Sequence, residues 1–373
     1  MRILGQSRAI ATITKSLRTG HVHHAWIFHG PFGVGKFTTA REFAALLLDP
    51  AVRDEHVDRF EPPAGSRVHE LLDAGSHPDF HVIRKERAET SEIASLRDKK
   101  QTNIPIDLLR ELMLGGEIDG RSFDGAIART PYLGHGKVFV IDEAELMDGV
   151  GQNAILKTLE EPPPNTFIIL VTTREDRLLP TIRSRCQRVG FVPLDPGSMR
   201  QWVETSPLKD LGDSEREWIL RAAEGSPGWA SMVAAYGVHG WARELAKPLA
   251  ELSRGKLTAG LSERMAELVG ECAEAMVKGN AKASKEAANR VALRMLFGVL
   301  GQNVRDGMTA AATAGDGALV ERFARLADVL SDADEAIRRH LNLKHVLANL
   351  VAQWVDSSIA SPAGRSGAVG AGA

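Results

Sequence analysis

Short apolar runs alternate with segments of helical periodicity through the first half of the chain. Each run is brief and is bounded by glycine, proline or polar residues, as buried strands of a parallel sheet are. After the first run, apolar residues such as Ala40, Phe43 and Leu47 recur at helical spacing. This alternation predicts an α/β domain with a mainly parallel sheet and flanking helices. Its strands are expected at 25–29, 80–83, 138–141, 167–172 and 187–192.

The pattern changes after Pro193, where helical periodicity replaces the alternation. A break at Gly225-Ser226-Pro227-Gly228 interrupts the first helical part, and later helices are predicted over 256–278, 281–307, 317–330 and 332–355. The last residues are rich in Ala, Gly and Ser, a composition that predicts disorder. We therefore expect an α/β domain at 1–194, a small helical domain at 195–236, an all-helical domain at 237–358 and a disordered tail at 359–373.

Length, composition and net charge limit the kinds of partner and site that this protein can have. The chain has 373 residues, 43% of them hydrophobic, and a net charge of −2. It can therefore form several cores, and any contact with nucleic acid must be local or shared with partners. Two cysteines, Cys186 and Cys272, cannot form a disulfide framework or a zinc site alone. Without a signal-peptide pattern or a long apolar run, we expect a cytoplasmic protein that does not contact membranes.

A glycine-rich segment between the first strand and the first helix of the α/β pattern suggests a phosphate-binding loop. The glycines let backbone N–H groups turn towards one anion, and Lys36 can reach the terminal phosphates. The next position, which carries a Mg²⁺-binding hydroxyl in such loops, is Phe37. Thr38 stands one place later, but one residue rotates a helix by about 100°, so its hydroxyl is not expected to replace the missing one. A tight structural turn is the alternative interpretation. The candidate nucleotide-binding residues are Gly30, Pro31, Gly33, Val34, Gly35, Lys36, Phe37 and Thr38.

Two acids follow one of the other predicted strands, and a threonine ends the next. Asp142 is a candidate contact for Mg²⁺, and Glu143 is a candidate for polarising an attacking water, if hydrolysis occurs. Thr172 can sense a terminal phosphate from the end of the next strand. The alternative for Asp142 and Glu143 is that they are solvated acids at the end of a strand. The alternative for Thr172 is that it only favours strand formation.

Arg185 lies just before the last predicted strand, in Ser184-Arg185-Cys186. An arginine there can act on a neighbouring subunit's nucleotide as an arginine finger. On chemistry alone, a surface arginine paired with an acid is favoured. The lysines and arginines of 84–100 are mixed with acids and are expected to face solvent. The glycine-rich segment 115–136 is expected to be irregular, and its role stays open.

Several longer motifs together resemble the clamp-loader branch of the AAA+ ATPases, almost over the whole length of the chain. The two strongest are a leucine-containing helix that ends in Glu-Glu-Pro-Pro and the Ser-Arg-Cys triplet. The segments that carry the resemblance are Leu4-Gly5-Gln6, His24-Ala25-Trp26, Gly75-Ser76-His77-Pro78-Asp79, Asn153-Ala154-Ile155-Leu156-Lys157-Thr158-Leu159-Glu160-Glu161-Pro162-Pro163 and Ser184-Arg185-Cys186.

The resemblance implies an AAA+ module, a helical lid and a helical collar that assembles with other subunits. Phe37, and Gly228 where a motor subunit has an arginine, favour the stationary delta-prime class of subunit over the gamma/tau motor. No cysteines stand where the motor's zinc module lies, so no zinc is expected. The resemblance implies binding of ATP or ADP, with Mg²⁺, and weak or absent hydrolysis without polymerase chemistry.

The partners that the resemblance implies are gamma/tau motor subunits and a delta subunit, with the sliding clamp and primer–template DNA reached through the complex. Arg185 is then the finger that acts in trans. Three alternatives stay open. They are an active gamma/tau-type ATPase, an AAA+ scaffold without a nucleotide role, and an unrelated P-loop kinase.

Overall fold

The computed structural model describes residues 3–98, 100, 102–278, 283–338 and 342–359. The described chain divides into two compact units. One is formed by the residues up to Leu211 with Ala223–Ser231, and the other by Gly212–Ala222 and most of the residues from Met232 onwards. The predicted domain boundaries stay predictions. Of the predicted tail, Ile359 ends a helix, and 360–373 lie outside the described residues.

A five-stranded parallel sheet forms the centre of the first unit in the described residues. The order of its strands is β2-β5-β6-β1-β7, and the pairings are parallel throughout. The predicted α/β architecture is therefore confirmed. The strands of this sheet are β1 (Ala25–His29), β2 (Phe80–Ile83), β5 (Lys137–Ile141), β6 (Thr166–Thr172) and β7 (Gln187–Gly190), and a separate hairpin contains β3 (Gly116–Ile118) and β4 (Arg121–Phe123).

The three inner strands β1, β5 and β6 are buried on both faces, which explains their nearly continuous apolar sequences. Trp26, Ile27 and Phe28 of β1 are fully buried. Phe43 of the following helix packs against Trp26, with 5.2 Å between the ring centroids. The helices that begin in this unit are α1 (Ser7–Arg18), α2 (Lys36–Leu48), α3 (Asp54–Arg59), α4 (Arg67–Asp73), α5 (Ala94–Arg97), α6 (Ile106–Leu109), α7 (Gly149–Ala154), α8 (Leu156–Glu160), α9 (Pro180–Arg183), α10 (Pro196–Glu204) and α12 (Pro227–Ala235).

The glycine-rich segment 115–136 is more ordered than expected. It contains the β3–β4 hairpin, and two buried charged groups hold the part that follows. Asp79 accepts hydrogen bonds from the N–H groups of Tyr132 and Leu133 at 2.6 and 2.8 Å. The amine of Lys137 donates to three carbonyl oxygens, of Ala126, Ile127 and Arg129. The expectation of irregular structure is therefore wrong for the hairpin.

The second unit is helical, as predicted. Its longest helix packs against the three helices around it, and Gly307 lies against the ring of Phe323. A Cβ at Gly307 would come within 2.2 Å of that ring, so any larger residue here would displace the Phe323 side chain. The helices are α11 (Asp213–Ala223), α13 (Val238–Leu252), α14 (Leu261–Val277), α15 (Lys285–Thr313), α16 (Gly317–Arg338) and α17 (Leu343–Ile359).

The predicted helix boundary near residue 331 is wrong, because α16 continues to Arg338. Leu326, Leu330 and Ala333 are buried at spacings of four and three residues. The apolar stripe therefore crosses the expected boundary without interruption. Among the described residues, no helix combines the length and apolar character that crossing a membrane requires.

Candidate functional site

The glycine-rich loop joins β1 to α2, in the strand–loop–helix context that the sequence predicted. Gly30, Gly33 and Gly35 have φ angles of 143°, 73° and 99°, which side chains rarely adopt. At Gly30, a Cβ would come within 2.3 Å of the carbonyl oxygen of Phe191. The loop therefore needs its glycines, and it presents backbone groups at the N-terminus of α2.

Lys36 is the first residue of α2 and is only 6% exposed. Its amine donates to the carbonyl oxygens of Gly30 at 2.8 Å and Pro31 at 2.5 Å. Burial lowers the pKa of Lys36 to about 8, although Glu145 and Asp142 oppose the shift. The loop thus holds a buried amine that is a cation at neutral pH.

A cavity of about 1070 Å³ lies beside the loop, large enough for a nucleotide. Its lining has an apolar part, which includes Ile3, Leu4, Leu194 and Trp202, and a polar part, which includes the charged residues and most of the predicted site residues. Those that line it are Gly33, Val34, Gly35, Lys36, Phe37, Thr38, Asp142, Glu143 and Thr172. Gly30 and Pro31 act through the carbonyl groups that bind Lys36.

Asp142 and Glu143 follow β5 and line the polar part of the cavity. Burial raises the pKa of Asp142, and Arg84 opposes this shift. Burial also raises the pKa of Glu143, whose carboxylate accepts a hydrogen bond from Lys85. Each acid therefore has a basic partner that the sequence analysis did not assign to the site.

The expectation that the basic residues after β2 face solvent is wrong for Lys85, whereas the side chain of Arg84 stays 38% exposed although it also lines the cavity. Both line the cavity, and the side chain of Lys85 is only 19% exposed. Strands β2 and β5 are neighbours, and Ile83 pairs with Ile141. The residues after the two strands therefore lie side by side. The positions of Arg84-Lys85 and Asp142-Glu143 after strands were the signal in the sequence that could have indicated this pairing.

The two threonines at the end of β6, Thr172 in the strand and Thr173 just after it, make different contacts. The hydroxyl of Thr172 accepts a hydrogen bond from the N–H of Arg174 at 3.0 Å. The hydroxyl and N–H of Thr173 both donate to Glu145, at 2.5 and 3.1 Å. Both threonines line the cavity. The phosphate-sensing role of Thr172 stays a prediction.

The start of α12 packs directly onto the glycine-rich loop. Gly228 donates its N–H to the carbonyl oxygen of Gly33 at 2.9 Å, and the hydroxyl of Ser226 donates to Phe32 at 2.8 Å. A Cβ at Gly228 would lie 2.7 Å from the Cα of Gly33. The glycine at 228 therefore permits a backbone contact that leaves no room there for a side chain.

Gln6 holds the loop from the other side. It is 2% exposed, and its amide donates to the carbonyl oxygens of Val34 at 3.2 Å and Val192 at 2.7 Å. Its own carbonyl oxygen accepts from the N–H of Val192 at 3.2 Å. This explains a polar residue in the N-terminal Leu4-Gly5-Gln6 segment.

Arg185 follows α9 and does not line the cavity. Its guanidinium donates to the carbonyl oxygen of Thr181 at 2.9 Å and forms an ion pair with Glu160 at 2.6 Å. The side chain is 36% exposed. In this chain it is a surface arginine paired with an acid, and its action on a neighbouring subunit stays a prediction.

The residues present fit the phosphates of a nucleotide better than they fit Mg²⁺. Lys36 and the loop suit an anion. A Mg²⁺ ion prefers oxygen ligands in octahedral geometry, whereas Phe37 provides no oxygen and Asp142 already faces Arg84. The Mg²⁺ contact predicted at Asp142 stays a prediction that its surroundings do not favour.

Comparison with known proteins gives relatives of two related kinds. The chain is 29% identical over 242 residues to DNA polymerase III subunit delta' of Pseudomonas aeruginosa, covering 63% of each protein. It is 30% identical over 191 residues to subunit delta' of Bacillus subtilis, covering 51% of this chain and 49% of that protein. It is 28% identical to subunit gamma/tau of Mycobacterium tuberculosis, covering 60% of this chain and 34% of that protein. These alignments thus span less than two thirds of each relative.

Among solved structures, a DNA polymerase III gamma subunit-related protein of Thermotoga maritima is similar at 20% identity. Its TM-score is 0.41, and the alignment covers 94% of this chain and 99% of that one. Residues 5–195 match the family described as DNA polymerase III, delta subunit. Because this match includes more than half of the chain, the protein belongs to the DNA polymerase III delta subunit family.

Proposed function

We propose that this chain is a delta-prime-type subunit of the clamp loader of DNA polymerase III. In this role it assists ATP-driven loading of the sliding clamp onto primed DNA. Its neighbours are gamma/tau motor subunits and a delta subunit, and it reaches the clamp and primer–template DNA through the complex. The match to the family and the relatives named delta' support this assignment.

The position of Arg185 is the observation that carries the proposal. The guanidinium is exposed and lies outside the chain's own cavity. A fixed cation there suits an arginine that stabilises charge on a neighbouring subunit's ATP. The contacts with Thr181 and Glu160 keep it oriented. Since an exposed ion pair is weak, about 0–1 kcal/mol, a triphosphate can displace Glu160.

The chain's own cavity is proposed to bind ATP or ADP. Lys36 and the loop N–H groups hold the phosphates, and the apolar part of the cavity, with Trp202 and Leu194, accommodates the base. Phe37 and the close contact of Gly228 with Gly33 support weak or absent hydrolysis. They disfavour the gamma/tau motor, and the cavity with its buried Lys36 disfavours a scaffold without a nucleotide role.

The test is Arg185→Ala in a complex reconstituted from full-length subunits. We expect the complex to assemble and to lose much of its DNA-stimulated ATP turnover, because one transition-state cation is missing. Arg174→Ala is the matched control, since Arg174 is also an exposed arginine paired with an acid, Asp176, at 2.8 Å. Normal assembly with unchanged turnover in Arg185→Ala would reject the finger.

A further inference from the structure

Two basic residues and two acidic residues meet at one edge of the sheet. Ile83 of β2 pairs with Ile141 of β5, and the N–H of Asp142 donates to the carbonyl oxygen of Ile83 at 3.0 Å. Arg84 and Asp142 are therefore next to each other at the cavity wall. Neighbouring strands thus give the polar part of the cavity its own fixed cations.

Arg84 also contacts the residue that replaces the expected hydroxyl. Its guanidinium carbon lies 4.3 Å from the centroid of the Phe37 ring, a cation–π contact. Its Nη2 atom is 3.5 Å from Oδ2 of Asp142. In loops of this kind, the hydroxyl after the lysine and the acid after the strand hold Mg²⁺ between them. Here one guanidinium contacts the residues at both positions.

The second acid has a cation as well. Lys85 donates to Glu143 and also lies 3.3 Å from Glu86. A divalent cation beside Asp142 would lie close to both Arg84 and Lys85, and like charges repel strongly in a partly buried site. The aromatic ring of Phe37 offers it no oxygen ligand. Asp142 and Glu143 thus each have a cation beside them without a metal ion.

We propose that this cavity binds the phosphate groups of a nucleoside di- or triphosphate without a divalent metal, with the Arg84 guanidinium in the place of Mg²⁺. The inference rests on the proposed nucleotide binding and specifies its chemistry. Arginine suits the role because its planar group can donate two parallel hydrogen bonds to a phosphate. The Phe37 ring contacts the guanidinium, and the Nε atom of Arg84 is buried without a hydrogen-bond partner among the described residues.

A site of this kind holds a nucleotide without turning it over. Lys36 and Arg84 neutralise phosphate charge, but the acids that would position a metal and a water are paired with Arg84 and Lys85. The bound nucleotide then stabilises the loop and the start of α12 that packs on it. The ligand therefore acts as a structural part of this subunit.

The experiment is titration calorimetry of the full chain with ADP and ATP, in EDTA and in saturating Mg²⁺ at matched ionic strength. We expect binding in EDTA to be as tight as in Mg²⁺, or tighter. Arg84→Gln should weaken binding in EDTA by about tenfold or more, since it removes a charge-assisted contact. Arg87→Gln is the matched control, an exposed arginine of the same segment, with an expected change below about twofold.

Binding that Mg²⁺ strengthens about tenfold or more would overturn the inference while leaving nucleotide binding intact. No binding under either condition would reject both, and the Arg185 finger would still be tested separately by turnover in the complex. A double variant gives a second measurement. Phe37→Thr with Arg84→Ala restores a hydroxyl and removes the guanidinium. This double variant should therefore bind the nucleotide more tightly in Mg²⁺ than in EDTA. Thermal unfolding of each variant verifies that it is folded.

Discussion

The N–H of Gly228 donates to the carbonyl oxygen of Gly33 at 2.9 Å, so α12 begins in direct backbone contact with the glycine-rich loop. The Cα of each glycine occupies the space where a Cβ of the other would lie, with clearances of 2.7 and 2.9 Å. The sequence indicates only that an arginine is missing at position 228. The structure shows that a glycine is needed there, because a side chain would prevent this close approach of the two backbones.

Gly228→Ala should therefore destabilise the chain by about 1–3 kcal/mol, as overpacking does. A helical Gly→Ala change without a clash has the opposite effect, a gain of up to about 1 kcal/mol. Gly240→Ala is the matched control, because Gly240 lies in α13 with nothing within 4 Å of its added Cβ. Urea unfolding of both variants measures the difference. Equal stability changes in the two would show that the Gly33 contact is not tight.

The sheet could be predicted from the sequence because its strands are short, apolar and bounded by breaking residues. The segments 25–29 and 80–83 agree with β1 and β2 residue for residue. The end of α16 could not be predicted, since no glycine or proline separates Leu330 from Ala333 and the buried stripe continues. As described, α16 extends to Arg338 and α17 begins at Leu343.

The phosphate loop could be predicted from local spacing, whereas its basic partners could be found only by also predicting which strands are neighbours. Arg84 and Lys85 lie in a run of mixed charge, which on its own is typical of a solvated surface. Their place in the cavity depends on the pairing of β2 with β5, and these strands are separated by more than fifty residues of chain. Likewise, the contact of Gly228 with Gly33 depends on how closely the start of α12 packs on the loop, and these two segments are far apart in the sequence.

Nucleotide binding should depend on pH through Lys36. Its amine has a pKa of about 8, so it is a cation below that pH and neutral above it. A bound phosphate favours the charged form. Above pH 8, binding must therefore take up a proton, and affinity should fall by up to about tenfold per pH unit. Calorimetry between pH 7 and 9.5 in buffers of different ionisation enthalpy measures both the affinity and the proton uptake.

Lys36→Met separates this effect from other titrations. The variant lacks the amine, so its binding should be weaker at pH 7 and nearly constant up to pH 9.5. If the unmodified chain bound equally well at pH 7 and 9.5, a cationic Lys36 would have no part in holding the phosphates. A pH dependence that persists in Lys36→Met would assign the titration to another group.

Lys137 should matter for stability although it lies in a strand and away from the cavity. It is 2% exposed, and its amine donates to the carbonyl oxygens of Ala126, Ile127 and Arg129. Lys137→Met keeps the aliphatic stem but leaves three carbonyl groups, among them that of the buried Ile127, without their donor. Since an unsatisfied buried polar group costs about 1–3 kcal/mol, the midpoint of urea unfolding should fall.

Lys157→Met is the control, because Lys157 is exposed at the surface of α8 and such changes usually stay within about 0.5 kcal/mol. Proteolysis should also distinguish the variants. Cleavage within 125–136 should be faster in Lys137→Met, since the carbonyl contacts of Lys137 tie this segment to the start of β5. Stability and cleavage like those of Lys157→Met would mean that Asp79, with its bonds to Tyr132 and Leu133, suffices to hold the segment.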